Sequence, residues 1–173
     1  RFSTEESRRD LDIRIDTDKV TNRLGKILLV EDDLVNQKVV KTQLELNGHH
    51  IDIALNGEEA IRCFKMNPDY DLILMDIQMP IMGGIEATDE IRRLEYGSNV
   101  PIIALTALAL KVEEEKIMKH DFDFYITKPV QISMLKEIVN QILIQKETSW
   151  NRRATGIFDS KETIDGMDAI KEK

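Results

Sequence analysis

Four short apolar runs in this chain of 173 residues each end in a group able to do chemistry. Residues 27–30 lead into Glu31 and Asp32, residues 72–75 into Asp76, residues 102–105 into Thr106, and residues 124–127 into Lys128. Runs of this length, rich in Ile, Leu and Val, suit strands covered on both faces of a parallel sheet, and open α/β sheets gather their functional groups beyond the carboxyl ends of such strands. If the first and third strands are neighbours, Glu31, Asp32 and Asp76 lie close together and repel, so that one must keep its proton unless a divalent cation sits among them. Oxygen-only donors at an open site suit Mg²⁺, with Mn²⁺ as a substitute. Asp32 and Asp76 are the expected direct ligands, with Glu31 acting through water and the backbone carbonyl of Gln78 as a further oxygen. A solvated acidic turn at the positive end of a helix dipole is the simpler reading of Glu31 and Asp32 alone. Lys128 and Thr106 weigh against it, because a carboxylate, a cation, an ammonium and a hydroxyl together match the needs of a phosphoryl group during in-line transfer. Asp76 is then the nucleophile.

The elements that would hold these groups follow from period and punctuation. Strands are expected at 26–30, 50–54, 72–75, 102–105 and 124–127, alternating with amphipathic segments, which is the pattern of β-α units. A first helix over 34–46 carries Val39, Val40 and Leu44 inward and closes at Asn47 and Gly48. Asn56, Gly57 and Glu59 open a second helix, with Ala60, Ile61 and Phe64 inward, that ends before Pro68. A third follows Gly84, a fourth spans about 111–120, and a fifth over 133–144 turns Leu135, Ile138, Val139 and Ile142 to the core. Five such units imply an α/β flavodoxin-like doubly wound parallel sheet of order 2-1-3-4-5.

Composition sets the boundaries. Residues 1–24 are dense in charge without an apolar face and read as a linker; residues 25–147 hold the α/β domain; residues 148–173 form a tail or the start of a following segment. The chain opens on Arg1 rather than methionine, suggesting a piece of something longer. Net charge −8 opposes nucleic-acid binding, which needs clustered Lys and Arg. No apolar run is long enough to cross a membrane and no signal-peptide pattern opens the chain, so a cytoplasmic location without membrane contact is expected. Cys63 is the single cysteine and reads as a small core or near-core residue.

Four stretches resemble the receiver domain of response regulators: ILLVEDD at 27–33, DLILMDIQMPIMGG at 71–84, PIIALTA at 101–107 and YITKP at 125–129. The resemblance implies that Asp76 is the phosphoacceptor, Glu31 and Asp32 the acidic pair, Thr106 the hydroxyl that follows the phosphoryl group, and Lys128 its cationic partner. It also implies that Tyr125 is an aromatic switch and that the Lys128–Pro129 peptide is cis, which only proline makes inexpensive. The expected function is a two-component phosphorelay receiver that takes a phosphoryl group from a phosphohistidine of a histidine kinase or histidine phosphotransfer domain. Such a receiver is a switch that promotes its own phosphorylation and dephosphorylation rather than an enzyme with a separate substrate. Phosphorylation should draw in Thr106 and turn Tyr125 inward, reshaping the face built from the fourth helix, fifth strand and fifth helix.

The motif style is similar to C-terminal receivers of hybrid histidine kinases, docking a phosphotransfer domain near the first helix and the loop around Pro129. A free-standing single-domain regulator is the alternative, and a degenerate receiver used only as a protein-binding module is a second. Leu108, Ala109 and Leu110 fit a rearranging loop or a packed helix entry. Asp33 and Leu34 stand where many hybrid-kinase relatives have Asn and Pro, while Asn36 and Gln37 keep that subgroup's pattern. Asp121 replaces a common glycine, so its turn should be strained or rebuilt. Other strand-end chemistries fit less well. A haloacid dehalogenase phosphatase needs an acid where Gln78 stands, a cobalamin domain needs a histidine in the loop of Met79 and Pro80, and a flavodoxin phosphate loop would not carry Glu31, Asp32 and Asp33.

Overall fold

The computed structural model describes residues 23–107 and 111–155, with side chains described outside 111–114 and 147–155. Residues 1–22 of the charged opening segment, the end of the tail and Leu108, Ala109 and Leu110 lie outside the described residues. Five strands, β1 (Lys26–Val30), β2 (His50–Ala54), β3 (Leu72–Asp76), β4 (Ile102–Thr106) and β5 (Phe124–Thr127), form one parallel sheet in the order β2-β1-β3-β4-β5. The helices are α1 (Leu34–Glu45), α2 (Gly57–Met66), α3 (Gly84–Arg93), α4 (Lys111–Lys119) and α5 (Ile132–Thr155). Because β1 pairs with β2 on one side and β3 on the other, the connections after β1 and β3 leave in opposite directions and open a crevice between them.

All residues of β3 and β4 are buried, as expected of strands covered on both faces. Side-chain alternation divides the core in two. Ile27, Leu29, Leu72, Leu74, Ile103 and Leu105 meet Val40 and Leu44 of α1 and Leu135 and Val139 of α5. Leu28, Val30, Ile73, Met75 and Ile102 meet Ala60 and Phe64 of α2 and Ala87 and Ile91 of α3, with Cys63 packed at the margin. Each such buried aliphatic side chain contributes about 2 kcal/mol, and together they hold the strand ends that carry the polar groups.

Local signals start and stop the helices. Asp33 caps α1 by accepting from the N–H groups of Val35 and Asn36. At α2, Asn56 accepts from the Glu59 N–H while Glu59 accepts from the Leu55 N–H, a reciprocal arrangement close to a capping box. Beyond α1 the chain turns through Gly48 at φ +90°, a conformation that glycine adopts without a Cβ penalty.

Two expectations are corrected, and the choice between strain and rebuilding at Asp121 is decided. Val39 is 47% exposed rather than inward: with Val40 and Leu44 committed to the core, the third place on that stripe goes to Gln37, three residues before Val40, and Val39 is rotated off it. The fifth helix runs on to Thr155, because no glycine or proline interrupts the chain between Pro129 and Gly156, even though Leu143 is the last buried apolar residue among those whose side chains are described. The turn at Asp121 is rebuilt without left-handed backbone, since among the described non-glycine residues only Ile81 has a positive φ. Arg92 of α3 holds that turn, donating to the carbonyls of Asp121, Gly97 and Val100 and to the carboxylate of Asp123.

His49, just before β2, is buried and accepts the Gly25 N–H on Nδ1 at 3.1 Å. Burial holds its pKa below the ordinary value of 6.5, so the folded state binds this proton less readily than the unfolded chain. Stability from this group is therefore complete above pH 6.5 and is lost as pH falls toward the depressed value. Replacing it with His49→Gln should cost about 1 kcal/mol at pH 8, and the gap to wild type should narrow on acidification. Urea midpoints of both proteins across the acid range check this; a constant gap would show that His49 does not titrate against folding.

Candidate functional site

The site forms where β1, β3, β4 and β5 end. Gly84 opens α3 so close to β3 that an added Cβ would lie 2.1 Å from the Asp76 carbonyl oxygen; the loop can fold back under Asp76 only because that residue has no side chain. Asp76 is buried, with Oδ1 accepting from the Gln78 N–H at 3.1 Å and Oδ2 from Lys128 Nζ at 2.7 Å. Lys128 Nζ also donates to Glu31 Oε2 at 2.8 Å, so one ammonium bridges carboxylates from two strand ends. The other oxygen of Glu31 accepts the Asp33 N–H. Asp32 is exposed, and Glu31, Asp32 and Asp76 each offer an oxygen within 4.8 Å of the others.

Burial pushes the Glu31 carboxyl above the ordinary carboxylate range, and the charge of Asp76 adds to this against the hydrogen bond from Lys128. Burial acts to lower the Lys128 pKa, but hydrogen bonds and attraction from Asp76 and Glu31 outweigh it and hold the ammonium above the usual lysine value. Three carboxylates thus face one ammonium, an excess of negative charge on oxygen donors that matches a hard divalent cation. Asp32, with the most accessible carboxylate of the three, is the side from which a hydrated ion could enter.

The remaining predicted residues lie around this centre. Thr106 is buried at the end of β4, and its carbonyl accepts the Lys128 N–H at 2.7 Å. Leu105 is paired with Asp76 in the sheet register and Thr106 with Thr127, so the hydroxyl-bearing residue stands between the β3 and β5 ends. The Lys128–Pro129 peptide is cis. Tyr125 sits on β5 opposite Ala104 and is 39% exposed. Gln78 follows Asp76 in the same loop. Sequence reasoning gave Asp33 no part in the site, yet its N–H holds Glu31 and its carboxylate caps α1; an Asp just before an apolar-periodic segment is the signal that could have found it.

A family profile for the response regulator receiver domain matches residues 27–140. Over 145 residues the chain is 42% identical to hybrid signal transduction histidine kinase I of Dictyostelium discoideum, covering 80% of this chain and 8% of that protein. It is 34% identical to the sensor histidine kinase GacS of Pseudomonas protegens, covering 69% of this chain and 13% of the relative. The chain therefore spans only a small fraction of these curated relatives. Among solved structures, the receiver domain of a Pseudomonas aeruginosa sensor histidine kinase, crystallised with magnesium coordinated in its active-site cleft, is 38% identical with a TM-score of 0.65, covering 70% of this chain and 98% of that one. A Saccharomyces cerevisiae response-regulator receiver, co-crystallised with a histidine phosphotransfer protein, is 29% identical with a TM-score of 0.66, covering 71% of this chain and 91% of that one. Sheet order, strand-end groups and these likenesses agree: the chain belongs to the response regulator receiver domain family and is a receiver of two-component signalling.

Proposed function

We propose that this receiver takes a phosphoryl group from a phosphohistidine onto Asp76. The observation that carries the reading is the bridge from Lys128 to both Asp76 and Glu31, beside the open carboxylate of Asp32. A carboxylate oxygen of Asp76 attacks phosphorus, the phosphorus–nitrogen bond breaks, and the departing imidazole takes up a proton. Lys128 neutralises one phosphoryl oxygen and leaves Asp76 to do so. Thr106 donates its hydroxyl to another. Asp32 and Asp76, the Gln78 carbonyl and, through water, Glu31 would hold Mg²⁺, or Mn²⁺ in its place, and the ion would neutralise charge developing on the phosphoryl oxygens.

Partner docking is assigned to the rim of this site. Leu34, Val35 and Val39 of α1 and Ile81 of the loop after β3 are exposed, and Ile81 holds φ 71°, a strained conformation for a β-branched residue. These apolar groups beside the acidic centre suit a histidine phosphotransfer or histidine kinase helix, as does the loop around Pro129. Tyr125, half open to solvent on β5, would report phosphorylation to the face of α4, β5 and α5. The domain boundaries are proposed at 25–147 within a cytoplasmic hybrid histidine kinase, the free-standing regulator being the alternative.

Incubation with Mg²⁺ and a phosphorylated histidine phosphotransfer protein should add one phosphoryl group, read by intact mass, and chelation of the cation should stop the transfer. An unmodified chain under conditions where the donor phosphorylates a known receiver would overturn the proposal and favour a binding module.

A further inference from the structure

Gln37 is the buried polar residue on the inward stripe of α1 that the phosphotransfer chemistry leaves unused. It is 6% exposed, and its Nε2 donates to the carbonyl oxygen of Glu31 at 2.6 Å. That carbonyl belongs to the peptide joining Glu31 to Asp32. Because a peptide unit is planar and stiff, fixing its oxygen restricts ψ of Glu31 and φ of Asp32 together, and with them the directions of both carboxylates. The rest of the loop is tied in the same way: the Glu31 N–H donates to the Ala54 carbonyl, the Gln37 N–H to the Asp33 carbonyl, and the Asp33 N–H to Glu31 Oε1.

Among the described residues, the Gln37 side chain alone reaches this peptide oxygen from the helix interior, six residues along the chain. An apolar side chain of the same length would fill the space equally well and pack against the same core, yet it would leave a buried carbonyl without a donor. The site thus contains a specific hydrogen bond where packing alone would have accepted methionine.

We infer that Gln37 is a positioning residue for the cation site, orienting Glu31 and Asp32 through their shared peptide without touching the ion. This rests on the reading of Glu31, Asp32 and Asp76 as a Mg²⁺ site. Outer-shell partners of metal ligands commonly account for 10- to 100-fold in affinity, and loss of one hydrogen bond acting through the backbone belongs at the lower end.

The test is titration with Mg²⁺ alone, followed by calorimetry and by two-dimensional amide NMR, on wild type and Gln37→Met. The variant should bind Mg²⁺ about tenfold more weakly, at a temperature where both proteins are fully folded. Equal affinity in the two proteins would overturn the inference and leave Gln37 as a packing residue. Should Gln37→Met fail to fold, wild type decides the matter: the Gln37 side-chain amide resonances should shift in step with the Asp32 backbone amide as Mg²⁺ is added. Side-chain resonances that stay fixed while Asp32 moves would overturn it. Absence of any saturable Mg²⁺ binding in wild type would overturn the metal reading and the inference with it.

Discussion

Replacing the proposed nucleophile, Asp76→Asn, should abolish phosphorylation while leaving the fold in place. An amide oxygen is too weak a nucleophile to attack phosphorus, and Glu31, which is also buried and bonded to Lys128, is proposed to serve the cation through water rather than to attack. Stability should change little, by about 1 kcal/mol, because two effects oppose. The variant loses the charge-assisted bond from Lys128, but it also removes one of three mutually repelling carboxylates, and Lys128 keeps Glu31 as partner. The checks are intact mass after treatment with acetyl phosphate and Mg²⁺, and thermal melting. A stoichiometric phosphate adduct on Asp76→Asn would displace the nucleophile to another residue.

The second large effect is expected at Lys128, where charge and stability are linked. Lys128→Ala should slow phosphorylation on the order of 100-fold, the usual consequence of removing one group aimed at developing charge. It should also destabilise the protein without added cation by about 2 kcal/mol, since it deletes hydrogen bonds to two buried carboxylates of a kind worth about 1.5 to 3 kcal/mol.

The pH dependence has a definite sign. Lys128 has a folded-state pKa above its unfolded value of 10.5, so its contribution is complete below that pH and disappears only as pH rises through the higher folded value. Glu31 is already raised above 4.5 by burial, and loss of the lysine removes an influence that holds it down. The folded variant then binds more protons than its unfolded chain over a wider range, so it loses stability relative to wild type as pH rises from acid. The gap should accordingly be small in acid, open above 4.5 and close only in strong alkali. Added Mg²⁺ should recover more stability in the variant than in wild type, because a ligand that binds only the folded state stabilises it by mass action and here also replaces a missing cation. Denaturation series with and without Mg²⁺ measure this; a gap independent of pH would separate Lys128 from the two carboxylates.

Much of this site can be read from residue type and period. The strand bounds, the parallel order and the residues at the strand ends are local properties. A short Ile/Leu/Val run followed by an acid or a lysine has few other places to go in an α/β chain, and the reversal between β1 and β3 then brings Glu31, Asp32 and Asp76 to one edge. Asn56, Gly57 and Glu59 likewise announce α2 through their own side chains and backbone freedom.

What the tertiary structure alone decided depends on contacts between residues far apart in the chain. Lys128 reaches Glu31 and Asp76 across sequence separations of 97 and 52, and its sharing between them is set by strand register and side-chain reach that no local pattern encodes. Whether Gln37 or Val39 faces inward turned on the rotation of α1 about its axis, which the packing of Val40 and Leu44 against the sheet determines. Strain and rebuilding at Asp121 could not be told apart locally, because the group that stabilises the turn, Arg92, arrives from α3, 29 residues earlier. Residue types along the chain thus determined the fold and which chemical groups meet at the sheet edge. The three-dimensional packing determined which of those groups share a charge or a hydrogen bond, because such interactions depend on distances that only the assembled sheet and helices establish.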